Sequence, residues 1–348
     1  MTHLWTRNGW WVRRLAVLPL HLLIFALVVF FLVKLIPGDP VAVLSGGQPM
    51  TPEQYEATRA SLGLADPIWV QLTTFLGDAV RLDFGNSIIS GIGVMDEMST
   101  RLPETVELAV MAMTISALLA LALGFLVVLR PRNAVSRVIA SYARAAGAVP
   151  DFCLGVAGVF VFYSVLHWAP APIGRYATSL NAPPRTTGFP FLDALLSSDT
   201  VLMSSMIQHL WLPIGVLVVA YAPMLLKLFI RSLDQAKSAQ ATRFRIASGA
   251  SRPMVLLSVG RRALPSTIAM FGTIFGFMVG GAVVVEQLFA IPGMGEYAVQ
   301  AVTRADFVAL RGFLLVVGAV SLIVFFLVDV VTMSLDPRRR PGVATAGG

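Results

Sequence analysis

The chain has 348 residues, 56% of them hydrophobic and only 13% charged, with a mean hydropathy of +0.77. Soluble domains carry about 25% charged residues, so a water-soluble globule is excluded and lipid is the expected solvent. The net charge of +7 raises a nucleic-acid partner, which the placement of the charges argues against. The one cysteine, Cys153, excludes an internal disulfide and reads as a small buried hydrophobe.

A spanning helix needs about 20 apolar residues, and six stretches meet or approach that length. The first covers residues 15–33, between Arg14 and Lys34. Its length, and the absence of a small-x-small site in Leu35-Ile36-Pro37-Gly38-Asp39, predict a retained helix rather than a cleaved signal. A long polar loop follows, residues 37–101. Thr51-Pro52-Glu53-Gln54 within it predicts a capped helix start, with a short amphipathic helix running through Leu62. Leu44-Ser45-Gly46-Gly47-Gln48 spells a signature of nucleotide-driven ATPases, but it follows a membrane helix and abuts Pro49, so it reads as coincidence.

The second span is expected over residues 108–129, with Glu104 and Glu107 at its start, where they complement the helix dipole. The third covers residues 152–174, its helix beginning near Val138. Asp151, after Pro150, then falls inside that helix, where an acid either faces a water-filled path or pairs with Arg144 or another helix. The fourth, residues 200–226, starts its helix near Gln208 and is broken by Pro213 and Pro223. The fifth covers residues 263–285 and ends on Glu286, a gate residue or a structural acceptor. It carries a small-residue stripe of Gly272, Gly276, Gly280 and Gly281 that favours close helix contact. The sixth, residues 312–328, continues past Asp329, an expected partner for a nearby arginine, to Leu335. Asp151, Pro150 and Glu286 are the candidates for a translocation path.

Between the fourth and fifth spans lies a basic loop, residues 231–262, in which residues 236–247 favour helix and Gly249 supplies a C-cap. Physics alone leaves two readings open: a helix lying on anionic lipid or one docking in the groove of a soluble partner. With the N-terminus in the cytoplasm, this loop falls on the inner face together with Arg7, Arg13, Arg14, Arg130, Arg132, Arg137, Arg144 and the run 338–340. Only Arg59, Arg81, Arg101, Arg175, Arg185, Arg304 and Arg311 lie opposite, and Lys34 sits at a helix end, where it can snorkel. The positive-inside rule therefore orients both termini inward and explains the basic charge without nucleic acid.

No catalytic constellation appears. None of Lys34, Lys227 and Lys237 follows a glycine, so a phosphate-binding loop is missing, and His3, His21, His167 and His209 lack metal-ligand spacing. No metal site, no catalytic residue and no cofactor of the chain's own are expected.

Taken in order, Arg13-Arg14, Leu35-Ile36-Pro37-Gly38-Asp39-Pro40, Leu62-Gly63-Leu64 with Pro67 and Trp69-Val70-Gln71, Asp83-Phe84-Gly85-Asn86-Ser87 and Arg101-Leu102-Pro103-Glu104-Thr105-Val106-Glu107-Leu108 resemble the permease subunits of bacterial ABC importers of the dipeptide/oligopeptide/nickel group. Gly281 to Glu286, Ile291-Pro292-Gly293-Met294-Gly295 and Leu335-Asp336-Pro337-Arg338 extend the resemblance over nearly the whole chain. It implies the type I importer permease fold, an all-α polytopic membrane protein of six transmembrane helices, in the bacterial inner membrane. It also implies a second homologous permease, two cytoplasmic ATPases that use ATP and Mg, and an external substrate-binding protein.

By the same resemblance, the external loop meets the binding protein through Asp39, Asp83 and Phe84. The basic loop becomes the ATPase coupling segment, with Gln240, Arg243, Ala247 and Gly249. The family usually has an acidic residue and an aromatic where this chain has Gln240 and Ala241, and its Ala-x-Ala-Lys-Gly ending stands here as Arg245-Ile246-Ala247-Ser248-Gly249. The chain then divides into residues 1–100 (first helix and external loop), 101–337 (permease core) and 338–348 (cytoplasmic tail). The expected activity is inward transport of peptides by alternating access. Nickel or other metal chelates and glutathione-like solutes are the alternative cargo, and an ATP-independent channel or exporter is the rival mechanism.

Overall fold

A computed structural model describes residues 10–335 except Pro37, Gly47 and Ala146. The expectations placed on Arg7, Asp336 and residues 338–348 lie outside the described residues. Among those residues the structure is helical, with a single isolated antiparallel bridge between Asn86 and Gly93.

Among the described residues five helices are long and apolar enough to cross a membrane: α1 (Trp10–Lys34), α5 (Val94–Leu129), α9 (Thr200–Ser238), α11 (Arg252–Leu288) and α13 (Phe307–Leu335). The shorter connecting helices are α2 (Pro40–Leu44), α3 (Pro52–Ser61), α4 (Ile68–Arg81), α6 (Ala134–Arg144), α7 (Asp151–Gly158), α8 (Pro190–Leu196), α10 (Gln240–Ala247) and α12 (Met294–Thr303). At about 1.5 Å per residue, α9 is about 58 Å long, well beyond the roughly 30 Å of a bilayer's hydrocarbon core.

Several boundaries differ from the hydropathy reading, each for a physical reason. α5 starts at Val94, so Glu104 and Glu107 sit in its interior and cannot serve as first-turn dipole partners; its first turn carries Asp96 and Glu97 instead. The third apolar stretch is not one helix from Val138. α6 ends at Arg144, and a new helix starts at Asp151 with Pro150 in the N-cap position. Proline disfavours helix in the residue before it, and its own fixed φ suits a helix start. The result is an apolar helix over Asp151–Val165, shorter than the other five, that widens into a π-helical turn over Val159–Val165. Pro213 and Pro223 do not break α9, which runs unbroken through both, and the helix starts at Thr200, capped by the Asp199 side chain.

The chain forms two compact units. The first comprises the described residues of Met1–Arg13, Val106–Ile291 and Ile323–Gly348. Its centre is the extensive pairing of α9 with α11. In α9, 61% of the most apolar window is buried, against 39% in α11. Glycines set how closely α5 packs against both of these helices. A Cβ on Gly124 of α5 would lie 2.5 Å from the Phe229 ring of α9, and one on Gly260 of α11 would lie 2.8 Å from Phe125 of α5. The two rings meet edge to face at 5.4 Å. Each ring thus lies over the bare backbone of a neighbouring helix, a contact that only a small residue permits.

At one end of this unit Glu107 and Arg175 form a buried ion pair. The same carboxylate accepts from the Phe191 amide at 3.0 Å and the Leu192 amide at 3.1 Å, the first turn of α8. Nearby, Asp193 holds the loop before it. Burial pushes its carboxyl up, but bonds from the Thr187 hydroxyl and amide and the Gly188 amide outweigh this and hold it below the usual range.

The second unit comprises Arg14–Thr105 and Pro292–Leu322. Asp306 is its knot. One carboxylate oxygen accepts from the Ala309 amide at 2.9 Å and so caps α13, and the other accepts from Ser87 Oγ at 2.6 Å. Thr105 Oγ1 accepts from the Met294 amide at 2.8 Å, capping α12. α3 has the expected Thr51 N-cap with Pro52 in the first turn, and the Gln54 side chain returns a bond that completes a capping box. Gly318 and Gly312 repeat the glycine device: the Phe25 ring lies against the first, and a Cβ on the second would lie 2.5 Å from Val94.

Two outcomes are expected from this packing. Gly260→Val drives two methyls into the Phe125 ring, costing about 1–3 kcal/mol as overpacking does, and lowers the melting temperature of the detergent-solubilised chain. Arg175→Met leaves Glu107 buried without its cation, a loss of about 3–5 kcal/mol, and Glu107→Gln, which keeps an acceptor for the α8 amides, melts higher than Arg175→Met in the same assay.

Candidate translocation and coupling site

The expected path residues are dispersed along α7 and α11. Asp151 lies in the first turn of α7, partly buried, while Pro150 is exposed and only starts the helix. Asp151 does not bond Arg144, whose guanidinium donates to Ser141 Oγ at 2.8 Å. Its partner is the Tyr221 hydroxyl in the middle of α9, which donates to Asp151 Oδ2 at 2.5 Å. The same hydroxyl lies 2.9 Å from the Phe277 carbonyl of α11. Three helices therefore meet at one phenol. Gly281 makes room for it, since a Cβ there would strike both the Asp151 carboxylate and the Tyr221 hydroxyl.

Glu286 is fully buried near the end of α11, so it does not face a solvent path in the isolated chain. Its carbonyl accepts from the Ile291 amide at 2.9 Å. Of the glycine stripe, Gly272 backs onto Phe325 and Gly281 onto the Asp151–Tyr221 pair, while Gly276 and Gly280 face open space.

The coupling residues do share one small element. α9 continues to Ser238, Ala239 alone is extended with ψ of 146°, and α10 starts at Gln240. The predicted helix over residues 236–247 is thus divided, its first three residues belonging to α9. Gly249 has φ of +79°, and its amide bonds the Ile246 carbonyl at 3.1 Å, the left-handed stop that glycine favours. Gln240, Arg243, Ala247 and Gly249 are all exposed.

What fixes α10 is Thr242, a residue the sequence reading did not single out. It is 1% exposed; its hydroxyl donates to the Ala236 carbonyl at 2.6 Å and accepts from the Arg262 guanidinium on α11. The local sequence carries no signal for it, because Ser238 and Ser248 are equally polar and the partner that sets Thr242 apart, Arg262, lies on another helix. Phe244 and Ile246 were also missed. They are 73% and 60% exposed on the same short helix, two large apolar side chains directed away from the protein.

The loop residues have mostly local work. Asp39 accepts from the Val41 amide at 2.9 Å and caps α2, and Asp83 accepts from the Gly85 amide at 3.1 Å. Phe84 is buried, so its ring does not present itself to a partner. Among the described residues no group of three or more His, Cys, Asp or Glu could hold a metal ion.

A bundle of long apolar helices, a polar pair held between three of them and a short anchored helix with exposed apolar residues define a polytopic membrane transport component. Comparison with known proteins is specific. Residues 108–341 match the binding-protein-dependent transport system inner membrane component family, residues 9–109 match its N-terminal region, and the chain belongs to that family. It is 31% identical over 312 residues to a probable D,D-dipeptide transport system permease protein of Escherichia coli K12, covering 89% of this chain and 91% of that one. It is 28% identical over 329 residues to a di/tripeptide transport system permease protein of Pseudomonas aeruginosa, covering 94% and 97%. It is 30% identical to a putative peptide transport system permease protein of Brucella abortus, covering 92% and 95%.

The Asp151–Tyr221 pair yields a prediction. Tyr221→Phe removes one charge-assisted bond, worth about 1.5–3 kcal/mol, and Gly281→Ala displaces both partners; both variants are expected to cut transport by the assembled system several-fold with normal membrane levels. Unchanged uptake in both would remove the pair from the path.

Proposed function

We propose that the chain is the permease half of an ATP-driven importer that carries peptides inward, and that α10 is its docking element for a soluble ATPase. The observation that carries this reading is Thr242. Its bonds fasten α10 to α9 and α11, so force on the exposed Phe244, Ile246 and Arg243 reaches the spanning helices directly. An interfacial lipid helix needs no such fastening, and apolar side chains with a rigid base suit a groove in a partner. Peptide cargo is supported by the relatives, which are named for dipeptide, di/tripeptide and peptide transport.

In this reading the basic loop and both termini face the cytoplasm, in keeping with the lysine and arginine distribution. Two ATPases consume ATP and Mg below the membrane, and a sister permease packs where Gly276 and Gly280 leave α11 bare. A binding protein delivers cargo to the loop that holds Asp39 and Asp83. Functionally, residues 1–100 serve delivery, 101–337 carry the path and the coupling segment 231–262, and 338–348 form the tail. Closure of the ATPases shifts α10, α9 and α11 follow, and the path through Asp151 and Glu286 alternates its access.

Two measurements test this. In the reconstituted system, Arg243→Glu and Phe244→Asp should each lower ATP-dependent dipeptide uptake at least tenfold with the permease still inserted; uptake that persists, or proceeds without ATPases, would favour the channel or exporter. In a Cys153→Ser background, a cysteine at Lys237 should be labelled only after permeabilisation and one at Glu53 in intact cells. The reverse pattern inverts the topology.

A further inference from the structure

The second unit holds a cavity of about 380 Å³ with no role in the transport reading. It lies where α1 ends at Lys34 and α13 begins at Phe307, hence at the level where two apolar helices leave the hydrocarbon. Its lining is divided. One part is apolar, with Val33, Ile36, Phe307 and Val308, and the rest brings two cations and two acids together: Lys34, Arg311, Asp66 and Asp78.

The cations are not loose surface charges. Lys34 Nζ stands 5.3 Å from the Phe30 ring centre, the Arg311 guanidinium carbon 5.1 Å from that of Phe75, and the two rings touch at 5.4 Å. The row Lys34, Phe30, Phe75, Arg311 thus presents two positive groups on a shared aromatic floor. Arg311 Nε is buried without a hydrogen-bond partner, an expensive state unless something accepts from it. Lys34 spends one proton on Gln71 Oε1 at 2.7 Å, and Gln71 in turn donates to the Asp66 carbonyl at 2.7 Å, which ties the lysine to the loop carrying the first acid. Asp78 lies one helical turn after Phe75 on α4, beside the second cation.

A ligand matching this needs an oxyanion for the two cations, an ammonium for the two acids and an apolar body. A wholly anionic ligand would leave the acids opposed, and a metal ion would repel the cations. We propose that the cavity binds one zwitterionic phospholipid of the phosphatidylethanolamine kind, its phosphate between Lys34 and Arg311, its ammonium toward Asp66 and Asp78, and the start of its acyl chains against Val33 and Val308. Basic and aromatic residues at helix ends suit that depth of the bilayer. The bound lipid would fasten α1 and α4 to α13 within this unit.

The test is native mass spectrometry of the full chain with its partner subunits, delipidated and then exposed to equal palmitoyl-oleoyl phosphatidylethanolamine and phosphatidylglycerol. The wild type should retain one more phosphatidylethanolamine than Arg311→Gln, at least fivefold enriched over phosphatidylglycerol. Val33→Phe, which fills the apolar end and keeps every charge, should lose the same molecule. Lys34→Met, altering an exposed side chain, should weaken it, and Arg304→Gln, outside the cavity, should keep it. Equal retention of the two lipids, or an adduct surviving both Arg311→Gln and Val33→Phe, overturns the proposal. Displacement of the lipid by soluble Ala-Ala would also overturn it, reassigning the same charges to a free peptide.

Discussion

The pairing of α9 with α11 is the constraint on which the first unit rests. In lipid, apolar burial gives helices little reason to associate, so contact must come from close van der Waals approach and a few internal polar bonds. Both are present here. Bare backbone at Gly260 and Gly124 lets α5 seat against both helices through the Phe125 and Phe229 rings, and bare backbone at Gly281 lets Tyr221 reach across to Asp151 and Phe277. Along α9 the same helix thus supplies a dry contact at Phe229, a polar one at Tyr221 and an anchor for α10 at Ala236. The extent of its burial follows from having to satisfy all three.

Placed at that junction, the Asp151–Tyr221 pair has a definite chemical meaning. A carboxylate among apolar helices costs free energy unless bonded, and a phenol that donates to it while bound near a backbone carbonyl distributes that cost over three helices. The arrangement is therefore sensitive to relative shifts of α7, α9 and α11, since any of them stretches a short bond. The Arg175–Glu107 pair differs from it: buried and bonded to the first turn of α8 as well, it fixes one end of the unit.

Legibility from the sequence tracked the range of the interaction. The apolar runs of α1, α9, α11 and α13, the Thr51 N-cap and the Gly249 stop rest on neighbours a few residues apart, and these were readable. The early start of α5 was not, because residues 94–107 are polar and hydropathy sees only lipid-facing helix; what holds them is Thr105 meeting Met294 and Phe84 and Met98 packing by Gly312. Asp306 was invisible for the same reason, its partner Ser87 being 219 residues away. In the coupling segment, residue identity pointed to the exposed positions and missed Thr242, whose importance comes from Arg262, twenty residues on in another helix.

The joint at Ala239 has a mechanical consequence. One extended residue separates a 39-residue helix from an 8-residue one, and the Thr242 hydroxyl ties back across it to Ala236. The joint has no slack: α10 cannot swivel without first breaking that tie, so it behaves as the foot of a long rod rather than as a hinged flap. A sideways shift of about 5 Å at the foot tilts a rod of about 58 Å by roughly 5°. The stroke of any engine gripping α10 is thereby geared down, large at the foot and small at mid-rod, where Tyr221 needs only a fraction of an ångström to lose its grip on Asp151.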